Sequence, residues 1–137
     1  MPNTSTPRDT VEAFISAMNA WESASWVAMR AARATDHPAS YQSAVLESQK
    51  AIFDLYCTEK DRAHGRQGSF GRPPDYDPAT ESVVQVEITE RVAIVETERS
   101  TPFAGGRYRY MVKKAGEKWL IESCKQLVDG KWLPSVL

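Results

Sequence analysis

With 137 residues, 42% of them hydrophobic and 26% charged, the chain has the balance of one soluble globular domain spanning 1–137. Such a domain can bury about two-thirds of its unfolded surface. Its 17 basic and 18 acidic residues give a formal net charge of −1, with no basic excess to hold a phosphate backbone, so nucleic acid is not an expected partner.

No run of about 18 apolar residues occurs, and the first residues lack the apolar stretch of a secretory signal. No membrane partner is expected, and the cytoplasm is the expected compartment. Taken in order, the chain first predicts a helix. Thr6 can cap it, Pro7 suits its first position, and Asp9 lies where the helix dipole favours an anion. Val11, Phe14, Ile15, Met18, Trp21, Trp26 and Met29 then fall mostly three or four apart. His37-Pro38 ends the pattern, because proline disfavours helical backbone in the residue before it. A helix of about 25 residues, about 37 Å long, would cross a small sheet.

A second helix is predicted from about Ala39 to Lys60, with Tyr41, Val45, Ser48, Ile52 and Leu55 as its apolar stripe, widened by Ala44, Ala51 and Tyr56. From Asp61 to Thr80 the periodicity stops among Gly65, Gly68, Gly71, Pro73, Pro74 and Pro78, which reads as a long ordered loop. Phe70 and Tyr76 either tuck inward to hold it down or face a partner.

Strands follow. Ser82 to Ile88 places Val84, Val86 and Ile88 on one face. Arg91 to Ser100 sets Ala93, Val95 and Thr97 against Val92, Ile94 and Glu96, with the turn at Thr89-Glu90. After a loop through Phe103, the stretch from Gly105 to Trp132 reads as a meander. Tyr108, Tyr110 and Val112 oppose Arg107, Arg109, Met111 and Lys113. Trp119, Ile121, Ser123 and Leu127 oppose Leu120, Glu122, Cys124 and Gln126. Turns are expected at Lys113 to Glu117 and at Asp129-Gly130. Helices segregated from a run of strands define an α+β domain, two N-terminal helices packed on a curved, four- to five-stranded antiparallel sheet.

Chemistry is sparse. Two cysteines, Cys57 on a predicted helix and Cys124 on a predicted strand, make neither a disulfide framework nor a metal site. His37 and His64 sit in predicted loops, as surface residues rather than partners of a nucleophile. No Gly-x-Ser-x-Gly elbow occurs. The glycines from Gly65 to Gly71 neither follow a strand nor open a helix, as a phosphate loop would. No catalytic residue, metal or cofactor is expected. A curved sheet under a long helix can enclose a conical pocket, and Tyr108, Tyr110, Trp119 and Ile121 are its candidate lining, with the Trp119/Ile121 face toward Trp21 or Trp26. Glu96 and Glu122 would matter to acid–base chemistry only if their faces were interior, and the alternation leaves that open.

Two helices, a Pro-rich loop, and a meander carrying Gly116-Glu117-Lys118-Trp119-Leu120-Ile121 and Asp129-Gly130-Lys131-Trp132 resemble the nuclear transport factor two-like superfamily. Thr6-Pro7 through Trp21-Glu22, Ser69-Phe70-Gly71-Arg72-Pro73-Pro74, Tyr76-Asp77-Pro78 and Ala93-Ile94-Val95-Glu96-Thr97 are similar to one branch, the bacterial immunity proteins of polymorphic toxin systems. The resemblance covers nearly the whole chain. It implies a cone-like fold and a non-catalytic protein that binds and neutralises a cognate toxin domain. The runner-up is a small-molecule enzyme or ligand carrier using the cone, as in isomerase-like or dehydratase-like branches. For a partner interface the candidates are Arg107, Arg109, Lys113 and Glu122 on the outer sheet face, with Phe70 and Tyr76 in the loop. The same sheet face is a candidate homodimer surface. Exposed ion pairs contribute little to stability, so charge reversal at Arg107 and Arg109 is expected to spare the fold and weaken binding.

Overall fold

The computed structural model describes residues 2–62, 68–100 and 105–137. Helix α1 spans Pro7–Arg33 and α2 spans Gln42–Tyr56. Strands β1 (Glu81–Thr89), β2 (Val92–Arg99), β3 (Gly106–Ala115), β4 (Lys118–Val128) and β5 (Lys131–Ser135) form one antiparallel sheet in sequential order. Two helices on one face of an open five-stranded sheet is the expected α+β architecture. His64, Gly65 and Phe103 lie outside the described residues.

Helix α1 begins as its sequence dictates. The Thr6 hydroxyl accepts from the Asp9 N–H at 3.0 Å, and Pro7 occupies the first turn. Val11, Phe14, Ile15 and Met18 are buried against the sheet and the loop, with Phe14 edge-on to Tyr76 at 5.4 Å. The Thr10 hydroxyl donates to the Trp119 carbonyl at 2.7 Å, and the Trp119 N–H donates to the Thr4 carbonyl. The first half of α1 therefore rides on β4. Its second half leans on α2, where the Trp21 indole N–H reaches the Val45 carbonyl at 3.0 Å. This corrects the expected neighbourhood of Trp119, which is buried near the start of α1. Trp21 lies 11 residues further on, about 16 Å along the axis.

Helix α2 is shorter than its composition suggests, and its expected stripe faces inward in part: Tyr41 and Ile52 pack on the core, whereas Ala44, Ser48 and Ala51 are exposed. Val45, Gln49 and Tyr56 are buried while Leu55 stays exposed. Cys57 is not helical. It ends α2 in extended backbone and bridges Ile121, and the Thr58 N–H donates to the Ile121 carbonyl at 2.9 Å. That bridge and Thr4 together cover the free edge of β4 before β5 joins it.

Two bulges correct the simple alternation. Val84 is an extra residue against β2, so Val83 and Val86 share a face and Val84 falls out of their row. In β4 the register shifts where Met111 opposes Ser123 and Val112 opposes Ile121. Cys124 consequently joins Trp119 and Ile121 in the core, and Ser123 turns outward with Met111. The β1–β2 turn is Glu90-Arg91, one residue later than expected, as Thr89 pairs with Val92. Asp129 (φ 49°) and Gly130 (φ 78°) are both left-handed, matching the twist of a two-residue hairpin.

Candidate protein-binding face

The covered face of the sheet carries the buried core. Along β2 the inward series Ala93, Val95, Thr97 runs on to Arg99, and along β1 the inward positions begin at Glu81. These two ends meet. The Arg99 Nε donates to Glu81 Oε1 at 2.7 Å, while the Thr97 hydroxyl and the Tyr110 hydroxyl donate to Oε2 at 2.6 and 2.8 Å. The Arg99 guanidinium lies 3.9 Å from the Tyr108 ring centre and 5.0 Å from that of Tyr76. A buried carboxylate is tolerated because three donors surround it, one of them a cation.

All four candidate pocket-lining residues, Tyr108, Tyr110, Trp119 and Ile121, belong to this packed core. Burial holds these tyrosines and the two cysteines in their neutral forms. Burial first, then the Glu81 charge, holds the Tyr110 hydroxyl protonated well above its ordinary range, and burial raises Tyr108 as well. Burial pushes the Cys57 and Cys124 thiols up to about 12, where the nucleophilic thiolate is scarce. No cluster of three metal-ligating side chains occurs among the described residues.

A second buried carboxylate organises the loop. Glu22, with no exposed surface, accepts from the Gly71 N–H at 3.1 Å and the Tyr76 N–H at 3.0 Å. Asn19 donates to the Tyr76 carbonyl at 2.8 Å. Phe70 packs edge-on against Trp21 and Tyr41, and Tyr76 is 1% exposed. Both aromatics therefore hold the loop down, and Tyr76 presents nothing to a partner.

The uncovered face of the sheet is different. Glu96 points outward yet is only 6% exposed, because Arg107 donates to its Oε2 at 2.7 Å and Arg109 to its Oε1 at 2.9 Å. Arg109's hydrogen bond above all, then Arg107's, holds the Glu96 carboxyl below the usual carboxylate range against the opposing effect of burial. The Arg109 guanidinium also lies 4.0 Å from the Trp132 ring centre. Between Trp132 and β1 runs a groove of about 320 Å³, with Ile94 and Met111 as its apolar floor and Glu87, Arg109, Ser123 and Lys125 around it.

Arg107 and Arg109 thus come together as expected, but on Glu96. Lys113 and Glu122 do not join them. Glu122 accepts from the Thr58 hydroxyl at 2.6 Å and pairs with Lys60 and Lys113 at 3.5 and 3.7 Å, toward the segment after α2. The Thr58 bond first, then the two lysines, lowers its pKa. The expected neutrality of charge reversal at Arg107 and Arg109 does not suit this geometry, since reversal would set two further carboxylates against the shielded Glu96.

Glu22, Glu81, Arg99 and Trp132 were absent from the sequence candidates. Two of them carried a signal: Glu22 is in phase with Val11, Ile15, Met18 and Ser25, and Arg99 with Ala93, Val95 and Thr97. A polar residue in phase with an apolar row marks a buried polar contact.

No helix among the described residues is long and apolar enough to cross a membrane. A family model described as NTF2 fold immunity protein matches residues 6–135. The Immunity protein RhsIA of Dickeya dadantii (strain 3937) is 30% identical over 137 residues, covering 97% of each chain. No solved structure matches.

Proposed function

The chain belongs to the family of NTF2-fold immunity proteins, and from that premise we propose that it neutralises a cognate toxin by binding the toxin domain, with no catalysis of its own. The observation that carries the reading is the contrast between the two sheet faces. The interior, where an enzyme or carrier of this architecture would hold a small molecule, is occupied by Arg99, Tyr76, Tyr108 and Tyr110, and its titratable groups are satisfied. The open face offers a groove with an apolar floor and a tryptophan beneath an arginine. Aromatic and arginine anchors at the centre of a patch dominate most protein interfaces.

In this reading a protruding side chain of the toxin enters the groove, and Arg109 and Lys125 meet acidic groups around it. Binding takes place in the cytoplasm, where both proteins would be made. A homodimer through the same face would occlude the groove and compete with the toxin.

Titration calorimetry of the purified chain against the cognate toxin domain tests the reading. A one-to-one complex is expected, and Trp132→Ala should weaken it by more than about 2 kcal/mol. Protection of cells by a chain that binds no toxin domain would sink the proposal.

A further inference from the structure

A second surface lies where the latter half of α1 faces the loop. A cleft of about 470 Å³ has Trp26 and Val27 on its helical side and Gly71, Arg72, Pro73 and Pro74 on the other. It shares no residue with the sheet-face groove.

Three features set it apart. Its loop wall is held in place: the buried Glu22 carboxylate binds the Gly71 and Tyr76 N–H groups, and Phe70 packs on Trp21. Burying a carboxylate is costly unless its donors are fixed, so this device defines the shape of an outward-facing stretch. Next, the Arg72 and Arg30 guanidiniums lie 4.1 and 4.8 Å from the centre of the Trp26 ring. Neither has a carboxylate within ion-pair distance among the described residues, whereas Arg99, Arg107 and Arg109 are each bonded to one. Finally, Val27 is 65% exposed, more than any other large hydrophobic side chain described.

A guanidinium held over an indole is pre-positioned for a carboxylate. Arg30, in the last turn of α1, would also complement the helix dipole. That does not account for Arg72, which comes from the loop. Trp and Arg are the residue types that dominate interface hot spots, and Val27 adds exposed apolar area beside them.

We propose that this cleft docks an acidic segment of the toxin polypeptide, with two carboxylates on Arg30 and Arg72 and an apolar side chain between them against Val27 and the prolines. The inference rests on the toxin-binding function argued above and adds a second point of attachment to it.

The test uses the full chain with Arg30→Gln and Arg72→Gln combined, and separately Val27→Asp. All three positions are exposed, so melting temperatures should stay near wild type. The arginine pair should raise the Kd for the cognate toxin domain about 30-fold or more and flatten its salt dependence. Val27→Asp should raise it at least about tenfold. Wild-type affinity in both variants overturns the inference, and if Trp132→Ala still weakens the complex, the sheet-face reading stands without it. Absence of toxin binding by the wild type overturns both. Retained toxin affinity with lost binding to a single-stranded oligonucleotide or to anionic vesicles would assign the arginines to phosphate groups and equally overturn it.

Discussion

Glu22 occupies a position in α1 where its neighbours in phase are Met18 and Ser25, and its two bonds to backbone amides explain why a carboxylate is kept there. Glu22→Gln replaces one acceptor oxygen with an NH2 group facing an N–H donor. The expected cost is about 2–4 kcal/mol in urea denaturation, with faster amide exchange at Gly71 and Tyr76. A loss under about 1 kcal/mol would show that Phe70 and Tyr76 hold the loop unaided. Glu96 predicts a pH dependence instead. Its arginine partners depress its pKa in the folded chain, so its ionised form stabilises the fold above the unfolded carboxylate value of about 4.3. That contribution is lost as pH falls from there through the folded pKa. The stability gap between wild type and Glu96→Gln should therefore be widest near neutral pH and shrink below about pH 4. A gap independent of pH would show that the two arginines do not distinguish the charged from the neutral carboxyl.

At the scale of elements, α2 and β4 show what the pattern of residues could and could not convey. Thr6 and Pro7 placed the start of α1 to the residue, and Asp129-Gly130 placed the last hairpin, because a cap and a left-handed turn are local chemistry. Alternation also separated Tyr108 and Tyr110 from Arg107 and Arg109 correctly. It failed where an extra residue enters a strand, since nothing in Ser82 to Ile88 or in Glu122-Ser123-Cys124 announces a bulge. In α2, the row ending at Leu55 and the row ending at Tyr56 are both plausible by spacing. Tertiary packing against α1 and β4 decides between them. Leu55→Ala should accordingly change stability by less than about 0.5 kcal/mol, whereas Val45→Ala should cost about 2 kcal/mol. Equal losses in thermal or chemical unfolding would reverse that assignment. Trp119→Ala should cost about 3–5 kcal/mol, because it empties a buried site under the first turns of α1.

For the molecule as a whole, the candidate interface was legible only in part. Arg107 and Arg109 announced themselves as a charged row. Their dependence on Glu96, and the groove closed by Trp132 from a different strand, come from register across β2, β3, β4 and β5 that no single stretch encodes. The open sheet has a further consequence at its rim. Strand β1 has no strand on its other side among the described residues, so part of its row of amides and carbonyls is available as a template for another chain. The Val84 bulge interrupts that row, twisting the rim so that a second β1 finds no continuous ladder. Deleting Val84 would keep Glu81, Val83 and Val86 facing inward but give β1 a regular edge. The shortened chain should remain folded at high dilution and self-associate as its concentration rises, with light scattering and thioflavin fluorescence to follow it. One apparently superfluous valine would then be what keeps the protein solitary until its partner arrives.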